Sequence, residues 1–175
     1  MEKITNILTQ EELTKVFEKI STPLSYGIPI MLYTGIRLKE LLDTKLSDVD
    51  MSTHTIHVRG TKNVDADRIV PIHSELIPYI EKLLKSNHEY LIENSHGQNV
   101  AEQEYRRFFK MFMKDINAQC EVKDLRHTFI ALMEKNGVER TTPALKNILG
   151  QACIFKSDNL ASTIEKLKIS SRREF

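Results

Sequence analysis

One stretch of the chain, residues 25–33, limits the folds that the rest can adopt because it is almost uniformly apolar. A surface helix keeps polar residues on one face, so this stretch predicts a helix that other elements surround. Gly35 follows it, and a glycine there lets the chain turn tightly into the next helix. The sequence therefore predicts a buried central helix against which other helices pack.

Most of the remaining chain has the spacing of amphipathic helices. Thr9 and Glu12 form a capping-box pattern, which predicts a first helix from near residue 10. Further helices are predicted from a Ser74 cap to near 86, and at 101–119, 124–133, 144–149 and 157–168. Two β-type runs, 55–59 and 68–72, flank a polar stretch and predict a hairpin carrying Lys62. The predicted fold class is mainly α with a small β-sheet or hairpin.

Length and composition favour one ordinary globular domain over residues 1–175. Apolar residues make up 41% and charged residues 28% of the chain, and no apolar run approaches the length of a membrane span. The two cysteines show no Cys-x-x-Cys spacing, which favours a reducing, cytoplasmic or nucleoid-associated location. The histidines are scattered, so we expect neither a metal nor a cofactor.

The net charge of +1 lacks the basic excess that typifies nucleic-acid binders. Binding to DNA would therefore need positive side chains clustered within a balanced total. One such run lies in the predicted helix at 101–119, with Arg106, Arg107, Lys110 and Lys114. Runs of this kind are more often solvated helix faces, so this one supports DNA binding only weakly.

A second charged group, residues 123–129, places Arg126 at the edge of the first turn of an otherwise apolar helix. An arginine in this position is sited to bind an anion, and the ordinary alternative is an ion pair with a nearby carboxylate. Arg37 lies at the start of another predicted helix, where Glu40, three positions later, can hold it by an ion pair.

Three boxes, in order along the chain, carry a resemblance to a known family. Residues 34–41 match the pattern Thr-Gly-x-Arg-x-x-Glu-Leu in full, and residues 123–127 match His-x-Leu-Arg-His except at Lys123. Between them, residues 60–63 and 68–72 resemble a lysine-bearing β-hairpin. Over roughly residues 8–150 the chain resembles the catalytic domain of the tyrosine recombinases, which include the phage integrases. We expect that fold, without an N-terminal core-binding domain in this chain.

The resemblance implies a reaction and a set of site residues. In the family, a tyrosine attacks a DNA phosphodiester without a metal, which leaves a 3′-phosphotyrosine and a 5′-hydroxyl. Arg37 and Arg126 would bind the phosphate, and Lys62 would protonate the leaving 5′-oxygen. Lys123 stands where the family usually has histidine, and Gln151 where it usually has histidine or tryptophan. The implied DNA-binding residues are Arg37, Lys62, Lys123 and Arg126.

The nucleophile of the family has no counterpart that the sequence reveals. All five tyrosines precede Arg126, whereas the family's tyrosine follows that arginine. Spacing from Gly150 puts its place at Leu160, and likeness to a phage integrase ending puts it at Ile164. Both are hydrocarbon side chains that cannot attack phosphorus. The nearby hydroxyls of Ser157, Ser162 and Thr163 would need a base that the sequence does not identify.

The predicted function is that of a site-specific recombinase or integrase-type domain, which binds double-stranded DNA during the integration and recombination of a mobile element. Strand cleavage and self-association on DNA stay open at this point. The alternative is a non-catalytic helical regulator that binds DNA or another protein and retains the recombinase fold.

Overall fold

The computed structural model describes residues 6–60, 66–151, 159–167 and 169. Its helices are α1 Gln10–Lys19, α2 Gly27–Thr34, α3 Leu38–Asp43, α4 Ile77–Leu84, α5 Glu102–Asp115, α6 Val122–Lys135, α7 Pro143–Leu149 and α8 Leu160–Ile164. Its strands are β1 Val49–Asp50, β2 Thr55–Val58 and β3 Arg68–Pro71. Within these residues, no helix combines the length and apolar character needed to cross a membrane.

Helix α2 is buried along its whole length and packs against α6, so the predicted central helix is confirmed. Gly35 ends α2 with a φ of 66°, the left-handed conformation in which glycine avoids a steric penalty. A Cβ atom at this position would lie 2.4 Å from the ring of Phe129 on α6. Glycine therefore permits both the turn into α3 and the close approach of the two helices.

The three strands form an antiparallel sheet in the order β1-β2-β3. Ile56 pairs with both Val49 and Val70, and Val58 pairs with Arg68. The predicted hairpin is therefore β2 and β3, and the mainly α fold with a small sheet is confirmed. The hairpin loop that contains Lys62 lies outside the described residues.

Of two local predictions about helix starts, one is confirmed and one is wrong. The capping box of α1 is present, because the Thr9 hydroxyl accepts from the Glu12 N–H and the Glu12 carboxylate accepts from the Thr9 N–H. The Ser74 cap is wrong: a 3-10 turn, Ser74–Leu76, precedes α4, and the His73 ring accepts the Glu75 N–H at 3.0 Å. The imidazole can fill this role because its Nδ1 is a free acceptor.

Helix α6 begins at Val122, which puts Arg126 in the second turn of the helix instead of the first. Asp124 occupies the third position and accepts the Glu121 N–H at 2.9 Å, which closes a capping box. The side chain of Arg126 consequently points from the body of the helix toward the ends of α2 and α7, where its hydrogen-bond partners lie.

The C-terminal helix α8 is shorter than the predicted 157–168 and is held against the turn before α4. The Glu165 carboxylate accepts from the Ser74 N–H at 2.7 Å and from the Ser74 hydroxyl at 2.9 Å. Because Nδ1 of His73 is an acceptor, its Nε2 donates to the Leu167 carbonyl at 2.9 Å. These bonds fix the segment that contains the two predicted nucleophile positions.

Candidate functional site

A cavity of about 570 Å³ lies where α3, α5, α6 and the end of α7 meet. Arg37, Lys123 and Arg126 all line it, so three of the predicted site residues are brought together. Lys62 lies outside the described residues, although Arg59 and Ala66, at the two ends of its hairpin, line the cavity. Gln151 is exposed and directly follows Gly150, a lining residue, without itself being one.

Positive charge predominates around this cavity. Six lysine or arginine side chains and three carboxylates line it, an excess of three positive charges in a chain whose net charge is +1. Asp43 is engaged by Lys39 at 3.1 Å and Glu102 by Arg106 at 3.3 Å. The local excess matches an anionic ligand, because an anion offsets the repulsion among the lining cations.

Two main-chain carbonyls orient Arg126. Its Nη1 donates to the Gly35 carbonyl at 2.6 Å, at the end of α2, and its Nη2 donates to the Leu149 carbonyl at 2.8 Å, at the end of α7. These bonds satisfy carbonyls that a helix end leaves free. They also replace the ion pair with a carboxylate that was the ordinary alternative for this arginine. The side chain therefore spans two helix ends and faces the cavity between them.

Arg126 keeps both donors and charge for a ligand. A guanidinium has five N–H donors, and only two of those of Arg126 find a partner among the described residues. Burial, and then the neighbouring charge of Arg37, lowers the pKa of Arg126 from 12.5 to about 10, so it remains charged at neutral pH. An anion bound here would regain the electrostatic energy that the crowded cations lose.

Arg37 caps the start of α3, with its side chain 52% exposed toward the cavity. The predicted ion pair is present: Nη1 lies 3.1 Å from Oε1 of Glu40. The Arg37 main-chain N–H also donates to Oε2 of Glu40, at 2.7 Å. With one side-chain hydrogen bond and half of its surface exposed, Arg37 can still contact a ligand.

Sequence reasoning missed the buried arginine beside this pair. Arg68, 6% exposed on β3, donates from Nη1 and Nη2 to the two oxygens of Glu40 at 3.0 and 3.1 Å. It also donates to the carbonyls of Ile148 at 2.7 Å and Ala66 at 2.9 Å. Burial raises the pKa of Glu40, but the hydrogen bonds and charge of Arg68 outweigh it and lower that pKa overall. Glu40 is therefore a carboxylate held between two arginines.

Two further residues near the start of α6 line the cavity. The Lys123 ammonium lies 2.6 Å from the Glu121 carboxylate, and this hydrogen bond raises the pKa of Lys123. His127, whose Nδ1 is 3.4 Å from Oδ1 of Asp124, also lines the cavity. It is the second histidine of the family pattern, so that pattern could have singled it out.

The structure supplies no nucleophile at the cavity from the described residues. All five tyrosines are described, and none of them lines it. Leu160 is half-buried at the first position of α8, and Ile164 is fully buried. The hydroxyls of Ser162 and Thr163 donate to the Asn159 carbonyl at 3.2 and 2.7 Å. Ser157 lies outside the described residues, which contain no cluster suited to a metal.

Sequence comparison identifies the family. A profile of the Phage integrase family matches residues 4–152. The chain belongs to this family. The tyrosine recombinase XerC of Staphylococcus epidermidis is 26% identical, with 94% of this chain and 57% of the relative covered. XerC of Oceanobacillus iheyensis is 32% identical, with 78% of this chain and 50% of the relative covered. This phage integrase family chain thus spans about half the length of these relatives.

Solved structures agree with that assignment. The integrase from mycobacterium phage Brujita has a TM-score of 0.80 at 16% identity and covers all of this chain, which spans 62% of it. The XerA recombinase has a TM-score of 0.72 at 27% identity, covering 95% of this chain and 61% of its own. The Tn1549 transposon integrase, solved with circular intermediate DNA, has a TM-score of 0.72 at 21% identity. The match covers 95% of this chain and 62% of the integrase chain. The fold is that of the recombinase catalytic domain.

Proposed function

We propose that this chain is the DNA-phosphate-binding part of a site-specific recombinase or integrase, with Arg37, Lys123 and Arg126 as its phosphate contacts. The observation that carries the proposal is the cavity that these three side chains share, with its excess of positive charge. Two guanidinium groups suit a phosphodiester because each presents paired donors and keeps its charge at neutral pH.

The chemistry that the site supports is stabilisation of negative charge on phosphate oxygens. A pentacovalent phosphorus gathers charge on its non-bridging oxygens, and the spare N–H groups of Arg37 and Arg126 face the cavity where these would lie. Fixed donors of this kind stabilise such charge without reorganising at the moment of reaction. Lys62, as the family resemblance implies, is proposed to protonate the leaving 5′-oxygen, and Gln151 to donate a hydrogen bond to the phosphate.

Double-stranded DNA is the proposed partner. The Tn1549 integrase is solved in complex with circular intermediate DNA, and the lambda integrase is solved as a dimer bound to a core site. The charge excess around the cavity supports the same class of ligand here, since cationic contacts to phosphate supply most of the affinity of such interfaces. Self-association on DNA is part of the same proposal.

The proposed activity of this chain is binding without strand cleavage. Covalent chemistry in the family needs a tyrosine, and the residues at the two candidate positions, Leu160 and Ile164, offer no nucleophilic atom. The arginine pair can still hold a phosphate, because its donors do not depend on a tyrosine.

The test is the affinity for duplex DNA after Arg126→Ala. We expect a loss of about tenfold to a hundredfold, since a hydrogen bond to a charged group contributes roughly 1.5–3 kcal/mol. Arg140→Ala is the control, because Arg140 is exposed beyond the opposite end of α6 and pairs only loosely with Glu134, at 3.9 Å. Fluorescence anisotropy at fixed salt measures both. Equal affinities for a folded Arg126→Ala variant and the wild type would favour the helical regulator instead.

A further inference from the structure

Arg68 is the most enclosed of the cationic groups around the candidate site, and it does not line the cavity. Four of its hydrogen bonds run to Glu40, Ala66 and Ile148. A guanidinium that is 6% exposed and directed inward has no surface with which to touch a DNA phosphate. Any influence of Arg68 on the ligand therefore acts through the groups that it holds.

Those groups belong to three elements that build the site. Ala66 closes the hairpin loop that contains Lys62, Glu40 lies on α3, and Ile148 lies in the last turn of α7. The adjacent carbonyl, that of Leu149, accepts from Arg126. Two arginines thus occupy successive carbonyls at the end of α7, one facing the core and one facing the cavity.

The position of Arg68 also requires the glycine that ends α7. A Cβ atom on Gly150 would lie 2.7 Å from Nη1 of Arg68. Gly150 has a φ of 62°, so glycine serves both the helix end and the room for the guanidinium. A larger residue at position 150 would therefore press against the guanidinium that binds Glu40.

Glu40 is shared unequally between two arginines. Oε1 accepts from Nη1 of Arg37 at 3.1 Å and from Nη1 of Arg68 at 3.0 Å, while Oε2 accepts from Nη2 of Arg68 at 3.1 Å. The Arg68 pair is bidentate, a geometry that fixes the orientation of a carboxylate. Arg37 makes one side-chain bond and keeps its other donors toward the cavity.

We propose that Arg68 is a positioning residue that saturates the Glu40 carboxylate and thereby leaves the Arg37 guanidinium available to a DNA phosphate. The inference rests on the proposed function. Without Arg68, Glu40 becomes a largely buried carboxylate with one remaining cationic partner, and a buried charge of this kind is strongly unfavourable unless it is paired. The Glu40 carboxylate then pairs fully with Arg37. The two N–H donors of Arg37 that would face a phosphate turn to Glu40 instead.

The experiment is a double-mutant cycle on duplex DNA affinity. Arg68→Met should weaken binding by about tenfold, the equivalent of one charge-assisted contact. Adding Glu40→Gln to Arg68→Met removes the competing charge and should restore affinity to within about threefold of the wild type. Because Glu40→Gln also relieves the buried carboxylate and so restores stability, the rescue is measured on variants shown to be folded, and the state of Arg37 is followed separately. Arg140→Met is the control for loss of an arginine elsewhere.

A second readout follows Arg37 without DNA. In ¹⁵N-labelled protein, exchange of the Arg37 Nε–H with water should slow in Arg68→Met and return toward the wild-type rate in the double variant. If Arg68→Met fails to fold by circular dichroism, Arg68→Lys replaces it, because lysine keeps the charge and loses the bidentate geometry. Its effects should have the same direction and a smaller size, and Glu40→Gln should reverse them.

The outcomes separate the two proposals. Weak binding that Glu40→Gln reverses, together with slowed Arg37 exchange, supports the positioning role. Unchanged affinity, or a loss that Glu40→Gln leaves in place, overturns it while Arg126→Ala still weakens binding and the proposed function stands. If neither Arg37→Ala nor Arg126→Ala changes the affinity for DNA, the proposed function is wrong and the Arg68 inference fails with it.

Discussion

The Glu40 carboxylate accepts four hydrogen bonds, two from Arg37 and two from Arg68. Burial alone would raise its pKa, but the bonds and charges of these arginines lower it below the ordinary value of 4.5. A carboxylate with a lowered folded-state pKa stabilises the folded chain fully above its unfolded pKa. That contribution is lost as the pH falls through the folded-state pKa.

Glu40→Gln should therefore destabilise the chain in a pH-dependent way. At neutral pH we expect the free energy of unfolding to fall by about 2–4 kcal/mol, because Arg68 stays buried without its carboxylate. As the pH falls below 4.5, wild-type Glu40 takes up a proton and the difference between the two proteins should shrink. Urea unfolding at neutral pH and in acid measures both values.

Glu18→Gln is the matched control, since Glu18 is exposed on α1 and its loss should change stability by less than about 0.5 kcal/mol. A difference between Glu40→Gln and wild type that stayed constant from neutral pH into acid would contradict the assignment of this carboxylate as ionised and paired.

At the scale of single residues, the sequence predicted the contacts that follow from short spacings along the chain or from the family boxes. The Arg37–Glu40 pair follows from a separation of three residues on one helix. Arg68 was visible only as part of the hairpin match, because its partners on α3 and α7 are distant in sequence. Nothing in a β-type run indicates that an arginine at its first position has a buried side chain. The contact between Arg68 and Glu40 could therefore be seen only in the folded structure.

Helix α5 presents a basic face that begins at the cavity and extends beyond it. Its exposed side chains include Arg106, Arg107, Lys110, Lys114 and Met111, the last 69% exposed. A second cavity, of about 860 Å³, is lined by Arg106, Lys110 and Lys114, and shares Arg106 and Val122 with the first. Among the described residues, Lys110 and Lys114 have no ion-pair partner. These side chains extend the positive surface of the candidate site along the helix.

We expect Lys110 and Lys114 to contact the backbone of the same DNA. They are four residues apart, so they project from one face about 6 Å apart along the helix axis. The double variant Lys110→Ala/Lys114→Ala should lower the slope of log affinity against log salt by roughly 2, since each phosphate contact contributes about 0.9. Anisotropy titrations over a range of salt concentrations measure the slope.

Lys85→Ala/Lys135→Ala removes the same charge from the residue that follows α4 and from the last residue of α6, and should leave the slope nearly unchanged. If both double variants reduced the slope equally, the α5 face would have no special role. The run on α5 would then be a solvated helix face, which is the interpretation that the sequence alone favoured.

Element boundaries show where sequence patterns stop being informative. The central helix was predicted because its stretch is uniformly apolar, the hairpin because two β-type runs flank a polar stretch, and α5 because its apolar residues recur at helical spacing. Strand β1 was missed because two residues cannot show a period, and it exists through its pairing with β2. The cap before α4 was assigned to Ser74, whereas Glu165 engages that hydroxyl from the far end of the chain. Tertiary contacts overrode the local propensity there.

For the molecule as a whole, net charge was a poor guide to the site. The balance of 25 basic and 24 acidic residues gives +1, yet six cationic side chains and three carboxylates line one cavity. Folding brings together residues 37, 123 and 126 from opposite halves of the chain, which composition cannot show. The ordered boxes could predict it, because their spacing reflects a particular fold.

The position of α8 bears on catalysis. The Glu165 and His73 hydrogen bonds dock this helix on the rest of the molecule. Ile164 is fully buried there, so a tyrosine in its place would overpack the core, at a cost of about 1–3 kcal/mol. Leu160 is half-buried and can take a tyrosine with less disruption, which makes it the better position for restoring a nucleophile.

We expect no covalent protein–DNA adduct from the wild-type chain. The arginines can bind the phosphate, but the hydroxyls of Ser162 and Thr163 are bound to the Asn159 carbonyl, with no base identified to activate them. The assay is a nicked suicide DNA substrate, with adducts scored on a denaturing gel. Leu160→Tyr tests that position, and Leu160→Phe is its control because it lacks only the hydroxyl. An adduct with the tyrosine variant alone would locate the missing nucleophile, whereas a wild-type adduct mapped to Ser162 or Thr163 would show that the chain cleaves DNA by a substitute hydroxyl.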